Sequence, residues 1–177
     1  MIEEITLDQL LASRDKRRER QQTLLKQYEN MSLVCLTVIM PGSVKRNSLS
    51  LTIAKEAINA LQKAFSQDMI THFEEYDLPT GYEAFFAVNM PNDKTKRIVC
   101  NIESTHPLGR LFDIDVIKQD GTPMSRTEMG LAPRRCIICN QEVRHCMRQR
   151  LHSTTDLIQA ISEIVDNYNL ANSNHSQ

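Results

Sequence analysis

Tryptophan is absent from this chain, and aromatic residues make up only 5% of it. Single-stranded nucleic acids are held by stacking bases on aromatic faces, so the chain offers few such platforms, and it carries no recognised nucleic-acid motif. An excess of one charge is missing as well. The 21 Lys and Arg against 22 Asp and Glu leave a net charge of −1, which excludes the global field of a histone-like or polyacidic protein. No run is long and apolar enough to span a bilayer. The opening MIEEITLDQLLASRDKRR begins acidic and lacks an apolar stretch of the signal-peptide kind. The expectation is a cytoplasmic protein with no nucleic-acid and no membrane partner. Internal repeats and low-complexity linkers are also missing from the pattern.

What is present fits α+β. The 177 residues, 41% of them hydrophobic, suit one packed domain over 1–177. TLDQLLASRDKRRERQQTLLKQY reads as a long helix opened by a Thr6–Gln9 capping box. Its charged middle is either a solvated surface with internal ion pairs or a basic face for anions or a partner. SLVCLTVIMPG is a buried strand stopped by Pro41 and Gly42. SLTIAKEAINALQKAFSQ carries Ile53, Ala57, Ala60, Leu61 and Ala64 at helical spacing, with Ser50 as cap. MITHFEEYDLPTGYEAFFAVNMP reads as two short strands about a Pro-Gly turn. NDKTKRIVCNIESTHP fits both periods; a helix capped by Asn92 and ending before Pro107 is the expectation. TTDLIQAISEIVDNYN is a helix with Leu157, Ile161, Ile164 and Val165 on one face, followed by a polar, frayed tail, LANSNHSQ.

Two stretches carry chemistry. In GRLFDIDV, residues 109–116, Phe112, Ile114 and Val116 form one side of a strand, and Asp113 and Asp115 share the other with Ile117. Carboxylates so close repel and need a cation or a shared proton. Such a pair binds Mg²⁺ from one side and leaves positions open for phosphate oxygens and water, as nucleotidyl and phosphoryl transfer require. The competing reading is the exposed face of a half-buried strand. The flanks favour the site: Gly109 permits close backbone approach, Arg110 can pair with phosphate, and Ser104 and His106 lie just upstream. QDGTP has an Asp-Gly turn signal leading to a short return strand near MSRTE.

The second stretch is RRCIICNQEVRHCMRQRLH, within a Cys-rich segment at about 133–152. Five cysteines, an odd number, in a cytosolic chain point away from disulfides. Cys35 and Cys100 read as inert core thiols. Cys136, Cys139, Cys146 and His152 suit a structural tetrahedral Zn²⁺, with His145 as a competing ligand. Metal-free thiols and a Cys136–Cys139 redox pair are the alternatives. Arg134, Arg135, Arg144, Arg148 and Arg150 face only Glu142 there. That patch is either a solvated face or a seat for phosphate or an acidic partner. His72 reads as structural, and His175 carries no signal.

ESTHPLGRLFDIDVI followed by LAPRRCIICNQEVRHCMRQRLHS resembles the signature of the apo-citrate lyase phosphoribosyl-dephospho-CoA transferase family, also called holo-citrate lyase synthase. LLASRDKRRERQQTLL, SLVCLTVIMPG and the total length fit it too, so the resemblance covers nearly the whole chain, with no fused partner domain. It implies a donor, 2'-(5-triphosphoribosyl)-3'-dephospho-CoA, and an acceptor, a serine hydroxyl on the acyl carrier protein (gamma) subunit of citrate lyase. The products are the holo-carrier, joined by a phosphodiester, and diphosphate, formally a nucleotidyltransferase reaction. On that reading Asp113 and Asp115 hold Mg²⁺, Arg110 stabilises the leaving diphosphate, and Gly109, Arg134 and Arg135 bind the donor. His106 takes the serine proton or orients the donor. Arg148, with Arg144 and Arg150, meets the carrier. One departure stands out: the common nucleotidyltransferase superfamily places a Gly-Ser pair well before its D-x-D, whereas Gly109-Arg110 lies much closer.

Two other readings compete with this one. One is a zinc-stabilised, non-enzymatic interaction module; the other is a nucleotidyltransferase using an ordinary nucleotide. The fold expected is a single mixed β-sheet with packed helices, nucleotidyltransferase-like. The aspartate strand is central and the Cys-rich segment forms a small lobe beside it.

Overall fold

The computed structural model describes residues 3–174. In chain order the elements are α1 (Leu7–Gln27), β1 (Ser32–Val38), α2 (Ser48–Ala64), the single turn α3 (Ser66–Met69), β2 (Ile70–Leu78), β3 (Gly81–Val88), α4 (Asn92–Thr105), β4 (Phe112–Ile117), α5 (Val143–Gln149) and α6 (Thr154–Asn174). The strands form one sheet in the order β2-β3-β1-β4, and every neighbouring pair is antiparallel. With its βαββαβ chain order, this is the ferredoxin-like split arrangement.

Two sheet expectations are corrected. The sheet is antiparallel throughout, not mixed. Each helical crossover skips one strand position, and the skipped slot is filled by a strand running the other way. β4 is an edge strand, not a central one, because the return stretch after QDGTP makes only one bridge, Ile117 to Pro123. That bridge is flanked by hydrogen bonds from Lys118 N–H to the Thr122 carbonyl and from Met124 N–H to the Val116 carbonyl, both at 2.8 Å, and there the pairing stops. The chain turns instead into a short 3₁₀ helix at Thr127–Met129.

The caps explain where the helices begin. Thr6 and Gln9 form the expected capping box on α1. On α2 the cap is Asn47 rather than Ser50. The Ser50 N–H donates to Asn47 Oδ1 and the Asn47 N–H to Ser50 Oγ, both at 2.9 Å, so Ser50 is the far half of a capping box. Pro91 occupies the cap position of α4, and Asn92 is the first helical residue. Pro91 is extended there, with φ −61° and ψ 143°, and no side chain caps the helix. The tail expected to fray is helical through Asn174; His175 lies outside the described residues.

One face of the three strands β3, β1 and β4 is predominantly apolar. Val34, Leu36, Ala84, Phe86, Val88, Phe112, Ile114 and Val116 pack against α2, α4 and α6 through Ile53, Ala57, Leu61, Val99, Ile102, Ile161 and Val165. Burying each large side chain is worth about 1.5–3 kcal/mol, and the fold rests on this layer. The other face is graded. Its first cross-strand row is Ala87, Leu33 and Ile117; the next is Phe85, Cys35 and Asp115; the last is Glu83, Thr37 and Asp113. α1 follows the grade. Leu24 and Leu25 in its C-terminal half cover the apolar rows, and its charged N-terminal half runs past the polar ones. Among the described residues no helix is long and apolar enough to cross a membrane.

Candidate functional site

The strand parity read from the sequence holds: Asp113 and Asp115 emerge together on the α1 face, opposite Phe112, Ile114 and Val116. The Thr37 hydroxyl donates to Asp113 Oδ2 at 3.0 Å, and Arg134 lies 3.4 Å from Asp113 Oδ1. Asp113 remains 42% exposed, open to a ligand. Asp115 sits deeper. Burial pushes its carboxyl above the ordinary range and Asp113 adds to the push, while Lys96, Arg134 and Arg17 pull it down. In the row of Asp113, Glu83 is also pushed up by burial, with Arg17 opposing at 3.5 Å.

Around the edge of β4 lies a second shelf of charge that sequence reasoning missed. Lys96 and Glu103 on α4 are 4% and 7% exposed. Glu103 accepts the outward-facing N–H of Ile114 at 3.4 Å and pairs with Arg126 at 2.7 Å and Arg134 at 3.9 Å. Burial raises its pKa, and Arg134, Lys96 and Arg126 oppose that. The signal was present in α4, where Lys96 and Glu103 alternate with buried Val99 and Ile102 on one helical face. A charge on the inward face of an amphipathic helix calls for a partner. Arg17 carried no such signal within SRDKRRERQQ, where every neighbour is charged.

Further outward carbonyls at this edge are also taken. Arg134 donates to the carbonyls of Phe112 and, at 3.3 Å, Arg110. Met124 N–H donates to the Val116 carbonyl at 2.8 Å. The Arg110 guanidinium is engaged by the carbonyls of Arg135, at 3.1 Å, and Cys136. Gly109 serves a close approach, though within the protein: a Cβ there would lie 2.6 Å from the carbonyl oxygens of Ile102 and Glu103.

His106 is not brought to the aspartates. Its ring packs 5.0 Å from Phe112 and 5.8 Å from Tyr168 on the helix face of the sheet, and its Nδ1 accepts the Leu108 N–H at 3.1 Å. Burial lowers its pKa. His72 stacks on Tyr28 and lies 3.0 Å from Glu74.

The Cys-rich segment forms a lobe built on a knuckle. Cys136 N–H donates to the Gln141 carbonyl at 2.7 Å and Val143 N–H to that of Arg134 at 2.9 Å, closing a hairpin that leads into α5. The ligand atoms of Cys136, Cys139, Cys146 and His152 all lie within 4.8 Å of one another. Cys139 Sγ is 3.4 Å from Cys146 Sγ and 3.3 Å from His152 Nε2. All five cysteines are free. A tetrahedron with Zn–S bonds of about 2.3 Å has edges of about 3.8 Å, so this donor set fits a zinc-sized ion. His145 is not among the four. Burial pushes the Cys136 thiol up, but the N–H groups of Cys139 and Ile138 and the neighbouring thiols outweigh it and bring it down to about 7. Arg135, Arg144, Arg148 and Arg150 are exposed on the lobe.

The family model described as apo-citrate lyase phosphoribosyl-dephospho-CoA transferase matches residues 5–168. A probable apo-citrate lyase phosphoribosyl-dephospho-CoA transferase of Streptococcus pyogenes serotype M18 is 34% identical over 169 residues, covering 94% of this chain and 88% of the relative. The apo-citrate lyase phosphoribosyl-dephospho-CoA transferase of Escherichia coli O1:K1 / APEC is 32% identical over 172 residues, 96% of this chain and 93% of the relative. Protein CitXG of Haemophilus influenzae is 33% identical over 169 residues; this chain spans only 36% of its length. With a match over nearly its whole length, the chain belongs to the apo-citrate lyase phosphoribosyl-dephospho-CoA transferase family, a family of enzymes.

Proposed function

We propose that this chain transfers the phosphoribosyl-dephospho-CoA group to apo-citrate lyase, with the face that carries Asp113 and Asp115 as its reaction centre. The donor is 2'-(5-triphosphoribosyl)-3'-dephospho-CoA and the acceptor a serine of the acyl carrier protein (gamma) subunit. The serine O–H gives up its proton to solvent, its oxygen bonds to the phosphorus nearest the ribose, the bridging P–O bond breaks, and diphosphate leaves, as in a nucleotidyltransferase-like reaction. The observation that carries the reading is the paired carboxylates, one open and one half-buried, bordered by Arg134 and Lys96.

Two carboxylates on one face are the protein's usual share of a Mg²⁺ site, the rest being phosphate oxygens and water. Asp113 and Asp115 would hold Mg²⁺, which neutralises charge on the transferred phosphoryl group and the departing diphosphate. Arg134 and Arg135 grip the triphosphate. The exposed Arg144, Arg148 and Arg150 meet the acidic surface of the carrier. Zn²⁺ is the ion that the soft Cys₃His set of the lobe selects, and a reducing cytoplasm keeps those thiols competent to bind it.

The test is diphosphate release from purified protein with the triphosphoribosyl donor, with and without carrier and divalent metal. Release that needs both supports the proposal. Release from ATP or CTP at a comparable rate would move the reading to an ordinary nucleotide.

A further inference from the structure

The cysteine lobe and the aspartate strand grip each other at two points. Arg110, in the turn before β4, reaches forward to the carbonyls of Arg135 and Cys136 in the knuckle. Arg134, at the foot of the knuckle, reaches back to the carbonyls of Arg110 and Phe112, and to the carboxylates of Asp113 and Glu103. Hydrogen bonds from a guanidinium are about twice as strong as neutral ones, and these run in both directions, so neither partner moves alone.

The lobe has little else to hold its shape. In residues 133–152 the buried positions are Cys136 and Cys146 alone, and both are members of the Cys/His cluster. Two thiols and the partly buried Ile137, which packs on the main core, bury too little apolar surface to fix twenty residues against their chain entropy. Coordination energy is the term of sufficient size, as in other small metal-built lobes. Ile137 ties the knuckle to the main core and two backbone hydrogen bonds close it, and the metal completes the fixing of the carbonyls that receive Arg110 and of the backbone from which Arg134 projects.

We infer that a metal ion held by Cys136, Cys139, Cys146 and His152 acts on the reaction through the Arg110–Arg134 clasp. The ion fixes the knuckle, the knuckle holds Arg110, and together they present Arg134 to Asp113 and to the donor's triphosphate. Arg110 is thus a positioning residue. Its effect falls on donor binding and turnover and not on the carrier, whose arginines lie on the outer side of the lobe. This inference rests on the proposed donor site at Asp113 and Asp115.

The test compares wild type, Arg110→Ala, Cys139→Ser and the double variant. The readouts are zinc content by mass spectrometry, KM for donor and for carrier, kcat, and melting temperature. Arg110→Ala is expected to keep its zinc and its carrier KM while losing roughly tenfold or more in kcat/KM for the donor, the scale of a displaced positioning group. Cys139→Ser is expected to lose the zinc and show the same donor defect. The double variant should be no worse than either single one, since both act through one contact. Wild-type donor kinetics in Arg110→Ala, or losses that multiply in the double variant, would overturn the clasp. Should Cys139→Ser fail to fold, chelation decides. A chelator should slow the wild type and leave Arg110→Ala no slower; equal further slowing of both refutes the coupling. A protein that never binds zinc yet shows the Arg110 defect removes the metal from the inference. Asp113→Asn with full transfer would instead sink the donor-site reading.

Discussion

Consider Gly109→Ala. The new Cβ would sit 2.6 Å from two backbone oxygens, those of Ile102 and Glu103, and 2.8 Å from the Glu103 carbonyl carbon. Ordinary contact begins at 3.4 Å, so the last turn of α4 and the entry to β4 must part by about 0.8 Å (3.4 − 2.6). Nothing flexible can absorb this, because all three atoms are backbone. Overpacking of that kind costs about 1–3 kcal/mol. At about 2–4 °C per kcal/mol for a chain of this size, a mid-range 2 kcal/mol lowers the melting temperature by about 4–8 °C. The same displacement carries Glu103 away from the Ile114 N–H and Arg126, and Arg110 away from the knuckle. Donor kcat/KM should fall with the melting point, by roughly tenfold or more. Calorimetry and steady-state kinetics on one preparation check this. A variant that melts with the wild type but shows a raised donor KM would mean that Gly109 faces substrate and that the packing argument is wrong.

Asp113→Asn and Asp115→Asn should each lower transfer by roughly 10²-fold or more while the far-ultraviolet circular dichroism stays native; near-normal turnover in Mg²⁺ would remove the metal role. Arg148→Glu should weaken carrier association, with an effect that shrinks as salt rises, and leave donor binding intact, as titrations of each partner at two ionic strengths would reveal. Arg134→Ala should do the reverse, and an exchange of the two phenotypes would put the lobe's outer face on the triphosphate. Glu83, whose pKa is raised by burial above the ordinary 4.5, binds its proton more tightly folded than unfolded. Its ionised form therefore costs stability at neutral pH, and the cost is relieved as pH falls toward 4.5. Melting curves of wild type and Glu83→Gln should converge on acidification through that range; divergence would mean that the Arg17 pair outweighs burial.

Local features of the fold were legible because local chemistry sets them. Alternation from Phe112 to Ile117 gave the strand and the shared face of the two aspartates, and the Cys136–Cys139 spacing marked the lobe. Strand order was not legible, since whether β4 lies inside or at the edge depends on the stretch of chain after it, which makes one bridge and then turns into a 3₁₀ helix. For the same reason His106, close in sequence to Asp113, ended on the opposite side of the sheet, where Phe112 takes it. Lys96 and Glu103 escaped notice because their stretch fitted two periods. Once helix was chosen, their inward position came from Val99 and Ile102 beside them.

The sealed margin of β4 has a consequence for association. An open strand edge is a template on which a second chain can pair, in productive complexes and in aggregates alike. Here the outward carbonyls of Phe112 and Val116 and the outward N–H of Ile114 already have partners in Arg134, Met124 and Glu103. An extended acceptor segment arriving at this border finds those groups occupied by side chains and a loop. On the reading proposed above, an acceptor serine reaches this border by surface-to-surface docking and not by strand addition to β4. The same occupied groups hinder edge-to-edge pairing of β4 with another chain.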